Sequence, residues 1–216
     1  LALALVAPTA VAAPPEVVHL TIEGVINPIK ARYIENELKQ AAEDHAALVV
    51  ISINTPGGLV DSMQDIVGDI VNSPVPVVTF VEPQAAMATS AGTFIVLAGD
   101  VAAMAPGTTI GSAHPVGGQG EKIEGPMEEK VVNVFVSLAK TLSERRNRNA
   151  WFAEQSVKSS VNLTAEAARE SGVIEILAKD MPDLLRQLDG YHIDNANRRD
   201  TIVITGATVR EEPLSR

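Results

Sequence analysis

Three segments of this chain carry residue types and spacings suited to covalent chemistry at a carbonyl carbon. The first is Ala86-Met87-Ala88-Thr89-Ser90-Ala91-Gly92-Thr93, in which Ser90 stands where a strand gives way to a helix. Small neighbours let a substrate approach the hydroxyl, and the positive end of the following helix favours the negative charge that develops during attack. A serine among alanines is, on its own, ordinary helix filler. The second segment is Asn54-Thr55-Pro56-Gly57-Gly58. A Gly-Gly pair between a buried strand and a helix can turn backbone N–H groups outward, as an oxyanion hole requires. Pro-Gly-Gly by itself is more often simply the mark of a tight turn. The third, Ala105-Pro106-Gly107-Thr108-Thr109-Ile110-Gly111-Ser112, is another turn-rich stretch beyond a strand end.

The elements that must position these segments alternate along the chain. Val17 to Ile22 reads as a strand, Lys30 to Asp44 as an amphipathic helix, and Leu48 to Ile53 as a continuous apolar strand buried on both faces. Pro56-Gly57-Gly58 ends that strand, and Leu59 to Val71 returns to helical spacing through Met63, Ile66 and Ile70. Val77 to Val81 follows as a strand, then the apolar segment Ala91 to Ala98 and the run Val101 to Ala105. This rhythm predicts an α/β fold with a mostly parallel sheet and right-handed crossovers. Residues 115–125 are glycine-rich and polar, a mobile loop by composition. Pro126 and the acids after it open a long helix with a predicted buried stripe of Val131, Val134, Phe135, Leu138 and Leu142. Thr164 caps a further helix that ends at Gly172, Val173 to Leu177 is a short strand, and Met181 to Leu188 is helical. The tail, Thr201 to Thr205 and Ala207 to Val209 around Gly206, predicts a small hairpin. No internal repeat and no second core is visible.

In this order and spacing, Asn54-Thr55-Pro56-Gly57-Gly58, Ala88-Thr89-Ser90-Ala91-Gly92 and Met104 through Gly111 closely resemble the membrane-associated ClpP-class serine proteases of the NfeD family. The resemblance runs from about Val17 to Gly190. It implies the ClpP/crotonase-like α/β spiral, with Ser90 as nucleophile and Gly57 and Gly58 as oxyanion stabilisers. It also implies a lysine base at the start of the helix after the mobile loop, and Lys130-Val131-Val132-Asn133 matches that pattern. A lysine takes a proton only in its neutral form, which burial and the positive end of a helix both favour. Glu128 and Glu129 oppose this if their carboxylates lie near the amine, but adjacent helical positions need not share a face. Lys122 lies in the loop and Lys140 nearly three turns further along the helix. The rival base is His114, 24 residues after Ser90 and close to where ClpP places its triad histidine. ClpP has a residue between that histidine and a proline, whereas here Pro115 follows directly. Asp61 is expected to be a solvated helix residue. The resemblance further implies peptide substrates with apolar segments, stomatin-like membrane partners and assembly as a homodimer or higher oligomer.

Composition narrows the alternatives. Acids outnumber bases 27 to 17, a formal charge of −10 that repels nucleic acid, and no Lys/Arg run offsets it. The cluster Arg145, Arg146 and Arg148 reads as a solvated helix end. Aromatics are only 3 %, so packing relies on small side chains that suit helix-on-sheet layers. With no cysteine and four scattered histidines, no metal and no cofactor is expected. Residues 1–13, Leu-Ala-rich and ending in Ala12-Ala13, read as the end of a signal peptide, which makes the domain extracytoplasmic. That run is shorter than the ~20 residues that span a bilayer. The protease domain is expected over 16–190, with membrane association through regions or partners beyond this chain. Two other classes compete: a non-catalytic scaffold for a membrane protein, disfavoured by Ser90, Gly57-Gly58 and Lys130 together, and a crotonase-type acyl-CoA enzyme, disfavoured by export.

Overall fold

The apolar strand runs recognised above assemble side by side in the computed structural model, which describes residues 13–117, 121 and 124–214. The chain order is β1 (Glu16–Glu23), α1 (Pro28–Glu43), β2 (Leu48–Asn54), α2 (Val60–Asn72), β3 (Val77–Val81), β4 (Met87–Thr89) and α3 (Ala91–Ala98). It continues with β5 (Val101–Met104), β6 (Thr109–Gly111), α4 (Pro126–Arg145), α5 (Ala150–Lys158), β7 (Asn162–Thr164) and α6 (Ala165–Glu170). Then come β8 (Ile176–Leu177), α7 (Met181–Leu188), β9 (His192–Asp194), β10 (Arg199–Thr201) and β11 (Thr208–Glu212).

The central sheet has six strands in the order β11-β1-β2-β3-β5-β8, every pair parallel. Residues alternate in direction along a strand, so β2 sends Val49, Ile51 and Ile53 into one apolar cluster and Leu48 and Val50 into another. The first cluster is closed by α1 to α6, the second by α7 and the C-terminal segment. The two clusters are the two faces of one sheet, as expected of a parallel sheet covered on both sides. A smaller sheet, β4-β6-β7, sits beyond the ends of the main strands, and its three-residue strands build the floor under Ser90.

Three sequence expectations change. Val134 is 59 % exposed; the buried face of α4 runs instead through Phe135, Val136, Ala139 and Leu142, because the helix packs between α3 and α5. Arg146 and Arg148 are not solvated: they are 5 % and 6 % exposed, each held by a carboxylate, and only Arg145 faces solvent. No hairpin forms around Gly206. The hairpin is β9-β10, and β11 crosses to pair parallel with β1, anchored by Arg210 on Glu16, Asp44 and Glu212. The leader expected at residues 1–13 lies outside the described residues except for its last position, as do 118–120 and 122–123 of the loop. Among the described residues no helix is long and apolar enough to cross a membrane.

Candidate active site

The turn after β2 and the turn after β4 meet because Thr55 joins both. Its backbone pairs with β4, with the Thr55 N–H on the Met87 carbonyl at 2.7 Å and the Thr89 N–H on the Thr55 carbonyl at 3.1 Å. Its hydroxyl accepts from the Gly57 N–H at 3.1 Å and so holds the Pro-Gly-Gly turn. Gly92, in the first turn of α3, lies against Thr55: a β-carbon there would stand 2.6 Å from the Thr55 methyl. This explains the glycine two residues after Ser90.

Ser90 occupies φ 54°, ψ −119°, a left-handed conformation that side chains rarely adopt, at the N-cap of α3. Its N–H donates to the Gly111 carbonyl at 3.0 Å, and its carbonyl accepts from Thr93 at 3.0 Å. The Thr93 hydroxyl ties the same corner to Ala88 and Gly111. Such strain persists only when surrounding bonds over-determine it, and it concentrates at functional sites. The hydroxyl of Ser90 is left without a partner among the described residues and does not cap its own helix. It faces a narrow cleft lined by Gly58, Met63, Ala91, Phe94, Val116 and Phe135.

The two glycines have different parts. Gly57, at φ 118°, lies directly against the serine: a β-carbon on it would come 2.6 Å from Ser90 Cβ and 3.0 Å from Oγ. Its N–H is already used by Thr55, so it contributes space rather than a donor. Gly58 is bridged to Ile26 through its neighbours, the Ile26 N–H meeting the Gly57 carbonyl and the Leu59 N–H meeting the Ile26 carbonyl. Its own N–H therefore points away from Ile26 and has no acceptor among the described residues. The N–H of Ala91 is equally free, since the first residue of a helix has no intrahelical acceptor. The sequence pattern pointed to Gly57 and Gly58; the Ala91 donor was legible only through the general rule of free helix-initial N–H groups.

Lys130 is in the second turn of α4, exposed, with no hydrogen bond or ion pair to any described residue. His114 precedes Pro115 and Val116 on the cleft wall, but its ring turns elsewhere. Nδ1 donates to the Val157 carbonyl at 2.9 Å, and Nε2 lies 3.7 Å from Glu128 Oε1. Asp61 is exposed on the first turn of α2. The structure thus brings Ser90, Gly57 and Gly58 together and directs His114 to Val157 and Glu128. Among the described residues no cluster of His, Asp or Glu is arranged to hold a metal ion.

The chain as a whole has counterparts among known proteins. The chain belongs to the NfeD1b family, whose N-terminal domain model matches residues 16–194. Its relatives include the membrane-bound protease PH1510 of Pyrococcus horikoshii, 37 % identical over 194 residues, covering 88 % of this chain and 44 % of that protein. The membrane protein NfeD1b of Bacillus subtilis is 29 % identical over 171 residues, covering 73 % of this chain and 38 % of that one. The chain thus spans less than half the length of both curated relatives. A serine-to-alanine variant of the 1510-N membrane-bound stomatin-specific protease superposes with a TM-score of 0.86 at 35 % identity, covering 93 % of this chain and 99 % of that one. A lysine-to-alanine variant of that protease, solved in complex with a substrate peptide, superposes at 0.85 with 35 % identity, covering 93 % of both chains. ClpP1 of Listeria monocytogenes superposes at 0.62 with 20 % identity over 77 % of this chain and 94 % of that one, a likeness of fold alone.

Proposed function

We propose that this chain is the catalytic domain of an extracytoplasmic serine endopeptidase that cleaves apolar segments of membrane-associated proteins, stomatin-like proteins among them. The observation that carries the reading is the strained, unpartnered Ser90, pressed by Gly57 and flanked by two free N–H groups over one apolar cleft. Ser90 Oγ attacks the scissile carbonyl carbon, the O–C bond forms, and the hydroxyl proton passes to Lys130 Nζ. The carbonyl oxygen becomes an oxyanion that accepts from Gly58 and Ala91. Collapse breaks the C–N bond, the Lys130 ammonium returns its proton to the departing amine, and water then hydrolyses the acyl-enzyme.

The relatives support the substrate class: one is named for its specificity towards a stomatin homologue, and serine and lysine variants of it were made. Met63, Phe94 and Phe135 make the cleft apolar. Exposed Met127, Val134 and Trp151 suit a homodimer or larger assembly, and residues 1–13 support export. The test is cleavage of an apolar peptide by wild type and Ser90→Ala. The variant should fold normally and lose at least ~10⁴-fold in kcat/KM, as removal of a serine nucleophile does. A Ser90→Ala protein that cleaves as wild type does would end the proposal.

A further inference from the structure

Arg146 and Arg148 lie in the turn between α4 and α5 and reach the end of α3 opposite Ser90. Arg146 donates to the Ala98 carbonyl from Nε and Nη2 at 3.1 and 2.7 Å. Arg148 donates to the Leu97 and Gly99 carbonyls at 2.9 and 3.0 Å. These carbonyls close the C-terminal end of a helix, where intrahelical donors run out and a positive charge is favoured. Each guanidinium meets a carboxylate, Asp100 being shared with Arg198. Arg146 meets Asp100 at 3.1 Å, and Arg148 meets both Glu175 oxygens at 2.7 and 2.8 Å. Burial pushes the Arg146 guanidinium down from its usual value while Asp100 pushes it back up.

A buried ion pair returns little net stability over well-packed apolar side chains, because desolvation offsets the attraction. What the two planar forks do supply is fixed geometry, since each guanidinium meets several partners in one plane. We propose that Arg146 and Arg148 are positioning residues for the Ser90–Lys130 pair. They lock the C-terminal ends of α3 and α4 in one register, so that the N-terminal portions carrying the two residues keep a set separation. This rests on the reading of Lys130 as the base. Between the two ends the helices touch through Phe94 and Phe135, ring centroids 5.6 Å apart and edge to face. The clamp at Arg146 thus sets the tilt of α4 about that contact.

Arg146 lies eleven residues (~16 Å) on one side of that contact and Lys130 five residues (~7.5 Å) on the other, so a slip of ~2 Å at the clamp, a tilt of about 7°, moves Lys130 by ~1 Å. Proton transfer needs ~2.6–3.2 Å between the partners, and a ~1 Å misplacement costs up to ~100-fold.

The test uses Arg146→Lys and Arg148→Lys, which keep the charge and lose the fork. Both should fold, with kcat for peptide cleavage down ~10- to 100-fold and KM unchanged. Because the chain has no cysteine, Met87→Cys and Met127→Cys at two exposed positions accept a spin-label pair. Electron paramagnetic resonance should show the distance between the two sites broadened or shifted by ~1–2 Å in the lysine variants. If either variant does not fold, Glu175→Gln, which removes only the charge facing Arg148, decides with the same two readouts. Folded variants with wild-type kcat and an unchanged distance overturn the proposal. A wild-type protein without peptidase activity refutes the proposed function instead, and the distance measurement still judges the clamp.

Discussion

Replacing Gly57 with alanine tests whether the turn after β2 exists to admit Ser90. Two effects add. The residue sits at φ 118°, where a side chain is strained by about 1–3 kcal/mol. The new methyl would also stand 2.6 Å from Ser90 Cβ and 3.0 Å from its Oγ. Ordinary carbon contacts are ~3.5–4.0 Å, so the serine or the turn has to yield by about 1 Å. Ser90 cannot relax freely, because its N–H is bonded to Gly111 and its carbonyl to Thr93. A shift of ~1 Å in a nucleophile costs about 100-fold in rate. The assay is kcat/KM on an apolar peptide, with thermal unfolding measured alongside. Gly68→Ala is the control: that glycine is in α2 with open space around it, and alanine there should leave activity intact and gain up to ~1 kcal/mol in stability. Gly57→Ala with more than half of wild-type activity would refute the steric reading of the site.

Other outcomes follow from particular contacts. His114→Ala should keep most of its activity, because the ring donates to Val157 rather than meeting Ser90, and should cost stability on the order of 1 kcal/mol for the carbonyl left unpaired; a dead but folded variant would favour a serine–histidine mechanism. Asp189 accepts from the Thr205 hydroxyl at 2.6 Å and from the Ile204 N–H at 2.9 Å, which together hold its carboxyl below the usual range. A carboxylate depressed on folding adds stability above its unfolded pKa of ~3.9, and that stability is lost as pH falls through the folded value. Asp189→Asn should therefore lower the urea midpoint at pH ~7, with the difference from wild type shrinking towards pH ~3; a gap that stays constant with pH would contradict this.

How much of this was legible in the sequence depended on how local each signal is. Strands β2 and β3 are apolar runs, α1, α2 and α7 have helical periodicity, and Asn27 and Asp180 cap α1 and α7, while α2 starts after Leu59 without a side-chain cap. Those elements read directly. Strands β4, β6 and β7 are three residues each, lie in small-residue turns and exist only through one another, so no local pattern marks them. Helix α5 has no clean apolar stripe in the sequence, because its largest apolar residue, Trp151, faces solvent, although Asn149 caps it. The burial of Arg146 and Arg148 depends on Asp100 and Glu175, distant in sequence, and a charge cluster carries no trace of such partners. In the candidate site, the motif spacing anticipates that Ser90 and the Gly57-Gly58 turn lie together. That Thr55 occupies one of the two glycine N–H groups is a local contact between residues two apart, of the kind threonine hydroxyls make in turns.

The central claim, a serine activated by a lysine, is tested most directly by the rate at which a fluorophosphonate labels the protein. The probe forms an O–P bond to an activated serine, fluoride leaves, and the hydroxyl proton goes to the base. Intact-mass and peptide mapping should place the single adduct on Ser90 in wild type. Lys130→Ala should slow labelling by ~10²–10⁴-fold, the usual contribution of a general base, while His114→Ala labels at close to the wild-type rate. An adduct on another residue, or a Lys130→Ala protein labelled as fast as wild type, would contradict the account.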